Sequence, residues 1–261
     1  MKDDIKELYH IFLKIKEQGW IESKRKGSGG IGYTFESLLN KKEDSFPMPD
    51  FKTIEIKTMR KNSRGRLHLM HVTPDGDFLF PIKRVLDKLG YPCKANPEYR
   101  IFNVSVNTMN YTKVGFYKRI KLKVNYKEEK VDLIAESSSG RNLCVDVSWS
   151  FYLLKMYLES KFKYLAIIRA DNKIINDKEY FRYSDIKFYE LIDFERFVSL
   201  IECGIITISF CIDVFKSGKR IGQIHDHGTS FSINIDDVEK LFNNVEIENL
   251  DECIIKNKDK S

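Results

Sequence analysis

Near the start of the chain, Ile5, Leu8, Phe12 and Ile15 recur at helical spacing, and Gly19 offers a stop. A basic, glycine-rich run, KRKGSGGIG from Lys24 to Gly32, precedes a second predicted helix, Tyr33–Leu39, which carries Glu36. The pattern then turns to alternation: Phe51–Thr58 reads as a strand and Leu67–Thr73 as its neighbour. Within the latter, His68 and His71 are three apart and fall on opposite faces of an extended chain. Short β-rich runs follow at Ile101–Val106, Val114–Val124, Val131–Ala135 and Leu143–Trp149, then a helix over Phe151–Lys161. Lys163–Ala170 is strongly apolar, as expected of a strand buried on both faces. Phe194–Cys203 reads as a helix ended by Gly204, Ile205–Phe215 as a long strand, Lys216–Thr229 as a turn-rich loop and Phe231–Ile235 as a strand. Strands interspersed with helices predict an α/β or mixed α+β fold.

With 261 residues, 42% of them hydrophobic, the chain can build one large or two closely packed domains. Charged residues at 31% and aromatics at 13% describe a folded protein and exclude a disordered tail. The net charge of +6 is compatible with a nucleic-acid partner without requiring one. Five cysteines form no C-x-x-C pair, so neither a zinc ribbon nor a disulfide framework is indicated. Cys144, Cys203 and Cys211 lie in apolar runs and read as small core residues, and Trp20 and Trp149 as core or semi-core anchors. No apolar run has the length of a signal peptide or membrane span, so the expected location is the cytoplasm. Residues 251–261 read as a charged tail.

Candidate chemistry concentrates in PMPDFKTIEIKT, residues 47–58. Residues two apart on a strand share a face, so Glu55 and Lys57 point one way while Ile54 and Ile56 anchor the other in the core. Asp50, just upstream after Pro49, sits where a turn or bent strand brings it beside Glu55. Two carboxylates and a backbone carbonyl, that of Ile56, make a hard oxygen site suited to Mg²⁺, and Lys57 adds a compact ammonium donor. From these residues alone, an amphipathic strand with a solvated charged face is the stronger reading.

Pro49-Asp50 with Glu55-Ile56-Lys57 resembles the motif of the PD-(D/E)XK nucleases. More narrowly, GIGYTFESLL followed by PDFKTIEIKT resembles the MvaI/BcnI-type restriction endonucleases, in the branch that includes the mismatch-repair nicking enzyme MutH. The resemblance continues in VSWSFYLL, KFKYLAIIRA and SGKRIGQIHDHGTSF, running from near Gly19 to about Asn234 with a divergent middle from about Asp75 to Arg141. It implies that Asp50 and Glu55 are metal ligands, that Lys57 is the catalytic lysine and that Glu36 is a supporting carboxylate. A surface glutamate remains the alternative for Glu36.

Lys24, Arg25 and Lys26 lie among glycines that permit close backbone approach, which suits phosphate oxygens as well as it suits a solvated loop. Arg60 and Lys61, with Arg64 and Arg66, either clamp the DNA backbone or keep a surface loop soluble. His225-Asp226-His227-Gly228, with Lys219 and Arg220 just before, can donate to guanine and accept from cytosine. The resemblance makes this segment a base-reading loop; a plain polar loop and a zinc-binding His-x-His pair are the alternatives. In a CCWGG-cutting relative within the resembled family, an acidic residue and an arginine occupy the positions of Ser209 and Cys211, and an arginine that of Ser232. The target expected here therefore differs from CCWGG.

The expected architecture is a PD-(D/E)XK core of mixed sheet flanked by helices, in two lobes around a DNA cleft. Residues 1–80 and 141–185 form the expected catalytic lobe, and 81–140 and 186–250 the recognition lobe. The expected activity is Mg²⁺-dependent cleavage of double-stranded DNA at a short G/C-containing sequence, by a monomer that nicks the strands in turn. Mn²⁺ is expected to substitute and Ca²⁺ to support binding without cleavage. A companion methyltransferase would protect the host DNA. The rivals are a MutH-like strand nicker and a DNA-binding protein without catalysis.

Overall fold

The structure, a computed structural model, describes residues 2–39, 48–76, 80–94 and 96–247, so the predicted tail at 251–261 lies outside the described residues. The chain divides into two units. The first comprises residues up to Arg64, Glu159–Ile192 and the segment from Phe242 on; the second comprises Gly65–Leu158 and Asp193–Leu241. Among the described residues, 65–76, 80 and 141–158 thus belong with the second unit and 186–192 and 242–247 with the first, unlike the expected lobe boundaries.

In chain order the elements are α1 (Lys2–Glu17), β1 (Ile21–Glu22), α2 (Gly30–Leu38), β2 (Ile54–Arg60), β3 (Arg66–His71), α3 (Phe80–Leu89) and β4 (Tyr91–Pro92). Next come β5 (Arg100–Val106), β6 (Thr112–Val114), β7 (Lys118–Asn125), β8 (Lys130–Ser137), β9 (Ser148–Ser150) and α4 (Phe151–Lys161). They are followed by β10 (Tyr164–Ile175), β11 (Lys178–Leu191), α5 (Phe194–Glu202), β12 (Thr207–Val214), β13 (Ile224–Asp226), β14 (Ser230–Asn234), a 3₁₀ turn at Ile235–Lys240 and β15 (Phe242–Val245). This is the mixed α+β class expected.

The first unit holds a sheet of order β1-β11-β10-β2, with β15 also on β11. β2 runs parallel to β10, with Ile54 opposite Tyr164 and Glu55 opposite Leu165. The apolar stripe of α1 (Ile5, Leu8, Phe12, Ile15) and Ile31 and Phe35 of α2 pack on the sheet residues Ile54, Ile56, Ala166, Ile168 and Phe181. Tyr164–Ile168 are buried at every position, as a strand enclosed on both faces should be.

The second unit holds a sheet of order β3-β14-β12-β5-β4, with β13 on β12, and an antiparallel meander β6-β7-β8-β9. Trp149 is fully buried, donates from Nε1 to Val72 O at 2.9 Å and meets Phe231 edge-on. Trp20 is instead partly exposed, flanked by the cations of Lys173 and Arg182.

Several expected elements need correction. Leu143–Trp149 is largely irregular, because Cys144 and Asp146 take φ of 43° and 52°, outside the extended region. Val114–Val124 is a hairpin turned at Gly115, whose φ is 58°. Cys144, Cys203 and Cys211 are exposed; among the described cysteines only Cys93 is buried. No helix among the described residues is long and apolar enough to cross a membrane.

Candidate active site

Alternation along β2 buries Ile54 and Ile56 in the core and sets Glu55 and Lys57 together on the opposite face. Lys57 Nζ donates to Glu55 Oε1 at 2.8 Å. Asp50 reaches the same strand through a tight turn. Phe51 and Ile54 exchange backbone hydrogen bonds of 2.9 and 2.7 Å, with Lys52 at a φ of 52° between them. A left-handed backbone costs a non-glycine residue roughly 1–2 kcal/mol. α1 offsets this cost: Thr53 Oγ1 donates to Asp4 Oδ2 at 2.7 Å, and Lys52 pairs with Glu7. The reversal carries Asp50 Oδ2 to the amide of Ile56, which donates to it at 3.0 Å.

The site contains one residue that sequence reasoning missed. Lys161, in the last turn of α4, donates from Nζ to Glu55 Oε1 at 3.1 Å. Only the parallel pairing of β10 with β2 brings the segment before Tyr164 to the head of β2, and no local pattern announces that pairing. The motif KFKYLAII did mark the right place in the chain.

Glu55 is 1% exposed, and its Oε2 is buried without a hydrogen-bond partner among the described residues. An anionic oxygen in that setting calls for a cation, since an unpartnered buried polar atom is costly. Two carboxylates and a backbone carbonyl are the hard donors that a divalent oxygen-seeking ion takes, so the residues fit such an ion. Among the described residues no group of three or more His, Cys, Asp or Glu is arranged to hold a metal.

Glu36 lies on α2 beside Thr58, the residue after Lys57: a Cβ on Gly32 would stand 3.3 Å from Thr58 Oγ1 and 3.6 Å from Glu36 Oε1. Glu36 and Thr58 line an open cavity of about 300 Å³ with Arg25, Ser28 and Tyr33. Burial, and then the nearby charge of Glu36, push the Tyr183 phenol far above its ordinary range; its hydroxyl donates to Ile31 O at 2.8 Å.

Lys24, Arg25 and Lys26 are exposed in a loop seated on the start of α2, where Lys24 N donates to Thr34 Oγ1 at 3.0 Å. Arg60 is committed elsewhere: its guanidinium grips Glu179 at 2.8–3.0 Å and lies over Phe181. Lys61 is exposed, 3.7 Å from Asp171.

In the second unit, the expected loop at 216–229 is in part a β-ribbon. β13 pairs with β12, placing His225 opposite Asp213 and Asp226 opposite Ile212. The His225 ring stacks on Phe215 at 4.1 Å, His227 approaches His225 at 4.0 Å, and Arg220 covers the Phe215 ring at 4.0 Å. Lys219 is exposed nearby in the chain. Burial raises the carboxyl of Asp226 above its ordinary range, against the lowering effect of the Gly228 amide and of His227, His71 and His225.

His68 and His71 share one face, contrary to the expectation, because a register shift in the β3–β14 pairing adds a residue between them. Their rings lie 6.3 Å apart and nearly parallel, His68 bonds Ser230 Oγ at 2.7 Å, and His71 closes on Gly228. Ser209 bonds Ser105, and buried Ser232 accepts Arg66 Nε at 2.9 Å. Arg66 therefore holds the strand beside Ser232 together.

No curated protein matches this sequence. The profile of the MvaI/BcnI restriction endonuclease family matches residues 10–242. Among solved structures, restriction endonuclease MvaI in complex with its cognate DNA substrate is 30% identical, with a TM-score of 0.84, over 94% of this chain and 98% of that one. MvaI in the absence of DNA is 29% identical over the same shares, with a TM-score of 0.61. This chain belongs to the MvaI/BcnI restriction endonuclease family and is a type II site-specific deoxyribonuclease.

Proposed function

We propose that the chain hydrolyses phosphodiester bonds of double-stranded DNA at a short G/C-containing sequence, using Mg²⁺ held by Asp50, Glu55 and the carbonyl of Ile56. The observation that carries this reading is the Oε2 of Glu55, buried and without a partner among the described residues, on a strand that also presents Lys57 and receives Asp50. When bound, the ion supplies Lewis-acid polarisation of the phosphate and eases deprotonation of a water. Lys57 orients the attacking water and donates to the charge that grows on phosphate oxygens. The water oxygen bonds to phosphorus, one P–O ester bond breaks, and the departing oxygen leaves with a proton. Glu36 supports the site through Lys57 or through water.

The first unit does the cutting; Lys24, Arg25, Lys26 and Lys61 meet phosphates. The second reads bases with His225, Asp226 and His227, assisted by Lys219 and Arg220. Ser209, Cys211 and Ser232 cannot make the bidentate contacts of charged readers, each worth roughly 1–3 kcal/mol, so the site read differs from CCWGG. The MvaI complex supports DNA as the partner. One chain with one site cuts one strand per engagement, so a duplex break requires two nicks. The enzyme acts in the cytoplasm, with a methyltransferase protecting host DNA.

Purified protein incubated with plasmid and Mg²⁺, followed by sequencing of fragment ends, tests the proposal. The expected result is discrete fragments sharing one short sequence, preceded by a nicked intermediate. Cleavage only with added repair partners, or none, would overturn it.

A further inference from the structure

Resting on the nuclease reading above, we propose that Lys161 is a positioning residue that divides the two oxygens of Glu55, holding Oε1 for the protein and leaving Oε2 to the metal. The two oxygens have unlike surroundings. Oε1 accepts Lys57 Nζ at 2.8 Å and Lys161 Nζ at 3.1 Å, whereas Oε2 is buried with no partner among the described residues. Two donors on one oxygen resist the carboxylate flip that would exchange them, so the oxygen presented to an ion is fixed in advance.

Lys57 has a second task. To orient the attacking water its ammonium must share or lengthen the contact with Oε1, and a side chain 1% exposed has no solvent to replace it. Lys161 comes from another element and keeps its hold while Lys57 works. Its backbone is pinned on the C-terminal side: Phe162 is buried against Phe242 at 5.8 Å, and β10 begins its register with β2 at Tyr164. Lys161 and Lys57 are equally accessible, at 24% of the side chain each, so neither is locked inside the core.

The test uses full-length K57M, K161M, K161R and K57M/K161M, each with Glu55 and with E55Q. K161M is expected to lower the single-turnover rate at saturating protein and Mg²⁺ by roughly 10- to 100-fold, as a displaced catalytic group does. K161R should recover most of that loss. In EDTA, the double variant should lose more melting temperature than the two single losses combined, and the excess should vanish with E55Q. A lysine that merely braced α4 would give losses independent of Glu55. Wild-type cutting by K161M, or additive melting losses with Glu55 present, would overturn the assignment. Absence of cutting by the unsubstituted protein would overturn the nuclease reading alone, because the melting cycle reads the shared hold on Glu55 without any catalysis.

Discussion

Asp50 Oδ2 accepts the backbone amide of Ile56 at 3.0 Å, so a carboxylate outside β2 is clamped to the strand next to Glu55. This bond separates architecture from chemistry. In Asp50→Asn the side-chain carbonyl still accepts the amide, but the negative charge is gone. The variant should melt within about 4 °C of the parent, equivalent to ~1 kcal/mol or less. Its cleavage rate in Mg²⁺ should fall on the order of 10³-fold, as when a charge-stabilising group is removed. Cutting at the parent rate would show that Asp50 serves only the turn.

Gly30 is required by the loop that carries Lys24–Lys26. A Cβ there would lie 2.5 Å from Arg25 O and 2.6 Å from Ser23 Oγ, and the backbone oxygen cannot step aside without moving the loop. Gly30→Ala is expected to cost about 1–3 kcal/mol, the usual range for overpacking. Gly29→Ala is the steric control: among the described residues nothing lies within 4 Å of an added Cβ and φ is −77°, so only the weaker N-cap preference of alanine, about 0.5–1 kcal/mol, is expected. Urea unfolding of the two variants checks the contrast.

The heart of the candidate site was legible because it follows from local rules. Ile54 and Ile56 against Glu55 and Lys57 is plain alternation, and Pro49-Asp50 marked the turn. What escaped depends on pairing between distant segments. Lys161 becomes visible only through the β2–β10 register. β11 was overlooked because its buried series, Phe181, Tyr183, Ile186, Phe188, skips a beat where the β10–β11 register shifts. The same kind of shift in β3 turned His71 to the face of His68. Strand bulges break period two, and sequence periodicity has no means of locating them. α3 was hidden by Pro81, which reads as punctuation but is tolerated in a first helical turn.

If Asp226 reads a base as proposed, it ties that contact to stability. Burial raises its carboxyl in the folded protein, so the folded state binds the proton more tightly than the unfolded chain does. Stability from this group is therefore greatest below the ordinary carboxylate range and declines as pH rises through the folded value. Asp226→Asn retains an acceptor for the Gly228 amide without burying a charge. Its melting temperature should exceed the parent's near pH 7, and the difference should close as pH falls toward 4, near the ordinary carboxylate value. Affinity for the cognate sequence should drop roughly 5- to 100-fold, the worth of one base contact. Thermal melts across pH and competition binding check the two halves.

The basic residues flanking the site differ in exposure, and salt dependence tells their roles apart. Lys24, Arg25 and Lys26 are exposed, and Arg25 lies over the Tyr33 ring at 5.6 Å. Arg60 is held by a bidentate grip on Glu179, which also accepts Asn172 Nδ2 at 3.1 Å. Each phosphate contact contributes about 0.9 to the slope of log affinity against log salt. Replacing Lys24, Arg25 and Lys26 with Ser should flatten that slope by about 2–3 and weaken cognate and unrelated DNA alike. Arg60→Met should leave the slope unchanged and instead lower the melting temperature, because Glu179 loses a charged partner. Binding in Ca²⁺ across a salt series provides the comparison. A slope that falls with Arg60→Met but not with the triple substitution would reverse the assignment and make Arg60 the residue that meets DNA.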